Sequence, residues 1–182
     1  QRSSRPRSMG SLYWQLNDAW PSISWASIDY YGNKKAFHYK LSEMYAPILL
    51  GMDEKENGKY NIWVSNDLQR DIKGRIRVLV EDMKGNQMFA FSEVVDIKAN
   101  SCFRLNENVR INVSKKKRTE CYARIILMEE DTVLSERLHF FAYPKDLKLV
   151  KTELEPKVTF ADGKYTLEFN SKVFVKDVFV ST

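Results

Sequence analysis

The stretch Gly74–Asn100, "GRIRVLVEDMKGNQMFAFSEVVDIKAN", decides the fold. Ile76, Val78 and Val80 stand at every second position, with Arg75 and Arg77 between them. That period places one set on one face of a strand. Lys84-Gly85-Asn86 is a turn signal, and the run from Gln87 returns as a second strand. Working outward, "KYNIWVSND" precedes this pair, and "CFRLNENVRINV", "ECYARIILMEED" and "VLSERLHFFAY" follow it. Each run is bounded by polar turn residues. This spacing predicts an antiparallel, immunoglobulin-like β-sandwich of about six or seven strands over residues 49–144.

On the C-terminal side, Tyr143–Lys151 reads as a linker. "KVTFAD", "KYTLEFNS" and "VFVKDVFVST" read as three further strands, with Asp162-Gly163 as a hairpin turn. Three strands are too few to close a second sandwich. Residues 145–182 are therefore expected to be the start of a truncated C-terminal sandwich domain. An apolar, strand-like end would leave a raw edge, so the chain is expected to be cut there.

On the N-terminal side, Leu12–Tyr39 carries three of the four tryptophans, Trp14, Trp20 and Trp25, among Tyr13, Tyr30, Tyr31 and Tyr39. Polar Gln15, Asn17, Asp18 and Asp29 lie between them. "SLYWQLN" is predicted as a short strand, and "DAWPSISW", broken by Pro21, as a loop. Ala36, Phe37, Leu41, Met44, Tyr45 and Ile48 recur at helical spacing, with Asn33 as N-cap and Pro47 as stop. Strand, loop and helix make the repeating unit of a (β/α)8 barrel. The expected fold class is thus mainly β: the immunoglobulin-like sandwich plus part of a second sandwich, preceded over residues 1–48 by a strand-loop-helix unit of a (β/α)8 barrel, which the resemblance given below makes the last strand-loop-helix of a TIM barrel.

Composition excludes several classes of function. A hydrophobic fraction of 43% with 29% charged residues is ordinary for a globular protein. The net charge of +5 comes from Lys and Arg interleaved with Asp and Glu, which argues for a solvated surface and no nucleic-acid partner. No apolar run approaches the ~20 residues of a membrane span. The chain starts at Gln1 rather than Met, so the natural start is expected upstream and no leader can be read. Cys102 and Cys121 make no disulfide framework. With two histidines and no CxxC, HExxH or glycine-rich phosphate loop, neither a metal nor a cofactor is expected.

Several residues carry two readings. "SKKKRTE", Ser114–Glu120, is expected as a charged hairpin tip, the alternative being a polyanion-binding patch. His38 is expected to pack the helix on the sandwich rather than to catalyse, and His139 to be an ordinary strand position. Trp63 is expected in the sandwich core, or else on a sugar-contacting face. The aromatic stretch itself either fills a gap between domains or binds sugar. At a barrel mouth, Trp14, Asn17, Asp18 and Trp20 would offer a flat indole beside hydrogen-bonding groups, which suits a pyranose ring.

"MGSLYWQLNDAWPSISWASIDYYGNKKAFHY" resembles the end of the catalytic barrel in β-mannosidases of glycoside hydrolase family 2. The phrases "LYWQLND", "WP", "SWASIDYYG" and "K–HY" carry the likeness, which is dense over Met9–Pro47. The resemblance implies a parent enzyme that removes terminal non-reducing β-D-mannosyl residues with retention. That chemistry uses two carboxylates about 5–5.5 Å apart. Their motifs are absent here, and Glu43 matches neither, so no residue of this chain is assigned a catalytic role and the fragment is expected to be inactive. The resemblance gives Trp14 a place lining the mannosyl subsite and Asn17 and Asp18 a place in the mouth's hydrogen-bond network. Trp20 and Trp25 would pack the loop against the sandwich. The expected partners are a β-mannoside, bound through the parent enzyme, and the missing barrel. The resemblance also implies a lysosomal, periplasmic or extracellular setting. Two alternatives remain: a free-standing carbohydrate-binding sandwich module, and part of another family 2 exo-glycosidase such as an exo-β-glucosaminidase. The remnant, lacking its neighbours, is expected to fold back on the sandwich, pair with another copy or be poorly ordered.

Overall fold

The computed structural model describes residues 1–8, 10–105 and 109–180, with the side chain of Asn57 outside the description. Ten strands and one α-helix are named below. The sandwich begins with β1 (Ile48–Glu54) and β2 (Lys59–Asn66), which pair antiparallel from Ile48↔Asn66 to Glu54↔Tyr60. β3 (Ile72–Asp82), β4 (Gln87–Ile97), β5 (Ser101–Arg104), β6 (Val109–Arg110), β7 (Cys121–Glu129) and β8 (Thr132–Phe140) follow. One sheet runs β1-β2-β5, with β6 also paired to β2; the other runs β4-β3-β7-β8.

Alternation explains which residues meet between the sheets. Leu50 and Met52, Tyr60, Ile62 and Val64 point inward from the first sheet. Ile76, Val78, Val80, Cys121, Ala123, Ile125 and Leu127 meet them from the second. Each large aliphatic side chain removed from water in this way contributes roughly 1.5–3 kcal/mol. The Lys84-Gly85-Asn86 turn forms as expected. Asp82 Oδ1 accepts from the amides of Lys84 (2.8 Å) and Asn86 (2.9 Å), and Gly85 takes φ 85°.

Several expectations need correction. Ile48 opens β1 rather than closing the helix. The helix α1 spans only Ala36–Met44, and only Leu41 of it is buried. Its N-cap is Lys35, with no side-chain cap. Asn33 is instead drawn into a turn, where its side-chain amide donates to Asp29 Oδ2 at 2.9 Å. Leu12–Asn17 form no strand; Asn17 makes one parallel bridge with Ile28. Trp63 is not in the core, because β2 spends its inward positions on Ile62 and Val64. Its ring lies instead across Gly51 on the outer face, where an added Cβ would come within 2.0 Å. Ser114–Glu120 is no hairpin tip, since it crosses from β6 in one sheet to β7 in the other. Within it, Arg118 pairs with Glu54 and donates to Tyr60 Oη at 3.1 Å. His139 is an ordinary strand position, edge-on to Tyr60 and Phe141.

The C-terminal hairpin β9 (Lys157–Ala161) and β10 (Lys164–Glu168) turns at Asp162-Gly163, both with positive φ. Every residue of both strands is exposed. The described part of the third run, residues 173–180, forms no strand, and residues 181–182 lie outside the described residues. Its apolar side chains find the outer face of the second sheet instead. The Phe174 ring lies 4.1 Å from Tyr122, and its amide donates to Met83 O at 3.0 Å. Beneath it, buried Glu81 accepts from Tyr122 Oη (2.7 Å) and Arg124 (2.6 Å).

The opening residues lie against the sandwich. Arg2 donates to the carbonyls of Met44 (2.9 Å) and Ala46 (2.7 Å), where the helix ends, and pairs with Asp67 beyond β2 (2.9 Å). Arg5 pairs with the same Asp67, and Arg137 of β8 reaches Glu43 of α1 at 2.9 Å.

Gly74 tests this packing. A Cβ there would sit 2.2 Å from the Met128 carbonyl, a backbone atom that cannot swing away. Gly74→Ala is expected to lower stability by about 1–3 kcal/mol, read as a fall in urea midpoint. Gly10→Ala meets nothing within 4 Å and should stay within about 0.5 kcal/mol of the parent.

Candidate functional site

The aromatic segment has little regular structure yet is tightly tied. Ile28 donates to Leu16 O (2.9 Å), Asp18 to Ile28 O (3.1 Å) and Ser27 to Gln15 O (3.1 Å). On its other side the same stretch pairs antiparallel: Lys35 donates to Ser27 O and Asp29 to Asn33 O, each at 2.9 Å. Residues 27–29 are thus the middle line of a minimal three-line patch. Most of these backbone groups find partners without a long ladder. The return at Gly32, φ 88°, is held by Asp29, whose Oδ1 accepts from the amides of Tyr31 (2.9 Å) and Asn33 (2.8 Å).

Successive side chains separate by role. Tyr13 turns toward α1, its ring 5.8 Å from Phe37 and 6.4 Å from Tyr45. Trp14 turns outward and is 73% exposed; the Trp14–Gln15 peptide is cis. Trp20 and Trp25 are 68% and 67% exposed, so they do not pack the loop on the sandwich as expected. The loop's buried positions are taken by smaller groups, Ala26 and Ser27. Ser27 Oγ donates to Leu16 O at 2.9 Å and lies 3.3 Å from both His38 Nδ1 and Tyr13 Oη. His38 therefore packs α1 against this loop rather than against the sandwich.

Of the residues read as sugar-contacting, Trp14 and Asn17 are exposed, and the Asn17 side-chain amide donates to the adjacent Asp18 carbonyl at 3.2 Å. Asp18 is buried, 5% exposed. Its carboxylate accepts from the Ser24 hydroxyl and from Lys35 Nζ, the latter at 2.9 Å. The Ser24 hydrogen bond, then that of Lys35, holds the Asp18 carboxyl below its ordinary value. Asn33 does the same for Asp29. Both carboxylates are acceptors already engaged, and neither is poised as a proton donor. Sequence reasoning missed Lys35 and Ser24; the signal available was a lysine immediately before the helix. The two cavities described lie elsewhere. One of about 440 Å³ lies between the second sheet and Phe174, and a larger one lies between α1, β8 and the C-terminal run. Among the described residues no group of His, Cys, Asp and Glu could hold a metal ion, and no helix is long and apolar enough to cross a membrane.

Comparison with known sequences finds β-mannosidases. Residues 58–146 match the Mannosidase Ig/CBM-like domain family. The chain is 28% identical over 182 residues to β-mannosidase A of Aspergillus oryzae, covering 92% of this chain and 20% of that protein. It is 35% identical over 80 residues to β-mannosidase A of Neosartorya fischeri, covering 43% of this chain and 9% of that one. The chain spans about a fifth of the length of the first relative. Among solved structures, a β-glucuronidase from glycoside hydrolase family 2 overlaps at a TM-score of 0.34 and 9% identity, over 51% of this chain and 11% of that one, a likeness too slight to bear weight. The resemblance to β-mannosidases read from the aromatic segment thus holds along most of the chain.

The acid response of the loop follows from its carboxylates. Their folded values lie below the ordinary 3.8, so the bracing they give is complete above that value and is lost as pH falls through the lowered folded values. The part of the near-UV circular dichroism that these two carboxylates control is expected to stay flat from pH 7 to 4 and to change only below 3.8, while His139, which burial holds below its ordinary 6.5 against Tyr60 and Phe141, adds a separate step of its own. In Asp18→Asn the Asp18 part of the carboxylate step should vanish.

Proposed function

We propose that this chain supplies one wall of the sugar subsite and the accessory sandwich of a retaining β-mannosidase, and that by itself it hydrolyses nothing. The observation that carries the reading is the joint exposure of Trp14, Trp20 and Trp25 on a loop whose polar groups are internally tied. Soluble proteins seldom leave three indoles in water without a use for them. An indole face beside Asn17 offers the apolar plane and the amide that a mannosyl ring can meet. The named relatives are β-mannosidases, which favours mannose over the glucosaminide alternative.

In this reading residues 1–48 are the last unit of the catalytic barrel, 49–144 the immunoglobulin-like sandwich and 145–182 the beginning of a second sandwich. Within residues 12–17 only Asn17 makes a strand bridge, to Ile28, which fits a barrel strand read apart from its neighbours. Retention requires a second carboxylate within about 5–5.5 Å of an acid/base group. Asp18 is committed to Lys35, Asp29 to Asn33, and Glu43 to Lys40 and Arg137, so the pair is supplied elsewhere in the parent. A second reading, a free carbohydrate-binding module, is favoured by the description of the matched family as Ig/CBM-like.

An aryl β-mannoside offered to this chain at high protein concentration should give no turnover above buffer; clear turnover would mean the chemistry has been misplaced. Calorimetry with mannose and manno-oligosaccharides separates the two readings. A wall lacking its opposite side should give no measurable heat, whereas a true module would bind unaided.

A further inference from the structure

We propose that Lys35 is the positioning residue of the indole loop, setting through Asp18 and Ser24 the direction in which Trp20 and Trp25 are presented to sugar. This rests on the loop's reading as a sugar wall. It also gives Asp18 a different task from a sugar ligand.

The geometry is that of a brace across three separate points of the chain. Lys35 ends the loop and is the N-cap residue of α1, so its backbone is fixed by the helix on one side and by its bond to Ser27 O on the other. From there Nζ reaches Asp18 Oδ2 at 2.9 Å and the Ser24 carbonyl at 3.5 Å. Asp18 in turn accepts from the Ser24 hydroxyl, which also accepts from the Ala26 amide at 3.0 Å. Residues 18, 24 and 35 are therefore tied at one spot; the excursion 19–23, with Trp20 on it, leaves from and returns to that spot, and Trp25 lies between the Ser24 tie and Ala26, whose amide donates to the same Ser24 hydroxyl.

Burial gives the brace its strength. The Asp18 side chain is 3% exposed and that of Lys35 29% exposed. Removing the ammonium would leave a buried carboxylate with only a hydroxyl and no counter-charge, which is costly. The loop's cheapest relief is to open and let water reach Asp18, and opening re-aims both indoles. Trp14 lies before the brace and is held by the bonds between residues 15–18 and 27–28, so it should respond less. Trp63 sits on the outer face of the first sheet and should not respond at all.

The test is the indole Nε1–H region of the 15N-correlated NMR spectrum of the full chain, with variants Lys35→Met, Lys35→Arg and Asp18→Asn. The expected result is that Lys35→Met shifts or broadens the Trp20 and Trp25 peaks and leaves Trp63 in place. Lys35→Arg, which restores the positive charge, should return them toward their original positions. Asp18→Asn, which removes the buried charge and keeps the shape, should perturb them less than Lys35→Met. Unmoved Trp20 and Trp25 peaks in Lys35→Met would overturn the proposal. So would displacement of all four indoles together with no rescue by arginine, since that is loss of fold rather than of aim. No sugar is present in this experiment, so its failure is separate from failure of the subsite reading. If the brace holds but no sugar is bound even by the longer protein, the subsite reading falls and the positioning role of Lys35 stands.

Discussion

Everything in the structure depends on the seam between two four-stranded sheets. Ile62 and Val64 from one side meet Ile76, Val78, Ile125 and Leu127 from the other, all sealed from water. Because the side-chain period of a strand is two, a slip of one residue anywhere in β2, β3 or β7 would turn this set outward. The seam therefore fixes register, and register fixes what the outer faces carry. Trp63 lies over Gly51 because its neighbours are spent on the core. Glu81, Tyr122 and Arg124 are on the far face of the second sheet for the same reason. There, the buried carboxylate is tolerable because Tyr122 and Arg124 both donate to it.

The aromatic segment is held by a different kind of order. It has almost no apolar core of its own. Backbone bonds among residues 15–18, 27–29 and 33–35, together with two engaged aspartates, keep it in shape while its indoles stay in water. Its attachment to the sandwich is polar and peripheral. Arg2 spans the end of α1 and Asp67, and Glu43 meets Arg137. Partly exposed pairs of this kind contribute little each, typically under 1 kcal/mol. The two parts are thus expected to differ in stability while remaining in contact.

The sandwich was legible in the sequence because its signal is periodic. Ile76, Val78 and Val80 alternate, and Lys84-Gly85-Asn86 interrupts them with turn chemistry. Errors arose where two periods overlap or where partners are remote. Ile48 continues the helical spacing of Leu41 and Met44, yet the chain turns at Pro47 and Ile48 pairs with Asn66. Trp63 reads as core because aromatics usually are, but the parity of β2 sends it outward. Val173–Val180 reads as a strand by composition, and without a neighbouring strand it lies on Tyr122 and Phe140 instead. The candidate site is legible as a motif and not as a geometry. Trp14 and Asn17 stood out, but the Asp18–Lys35 pair joins residues seventeen apart in a segment without periodicity.

Native-state amide hydrogen exchange tests the central claim that one interlocked seam carries the stability of the chain while the aromatic loop and the C-terminal hairpin are separately and more weakly held. The account predicts that amides of Val78, Val80 and Ile125 exchange only by global unfolding. Amides of Ile28 and Lys35 should exchange through smaller openings, and those of β9 and β10 faster still. A single level of protection shared by all three regions would contradict it.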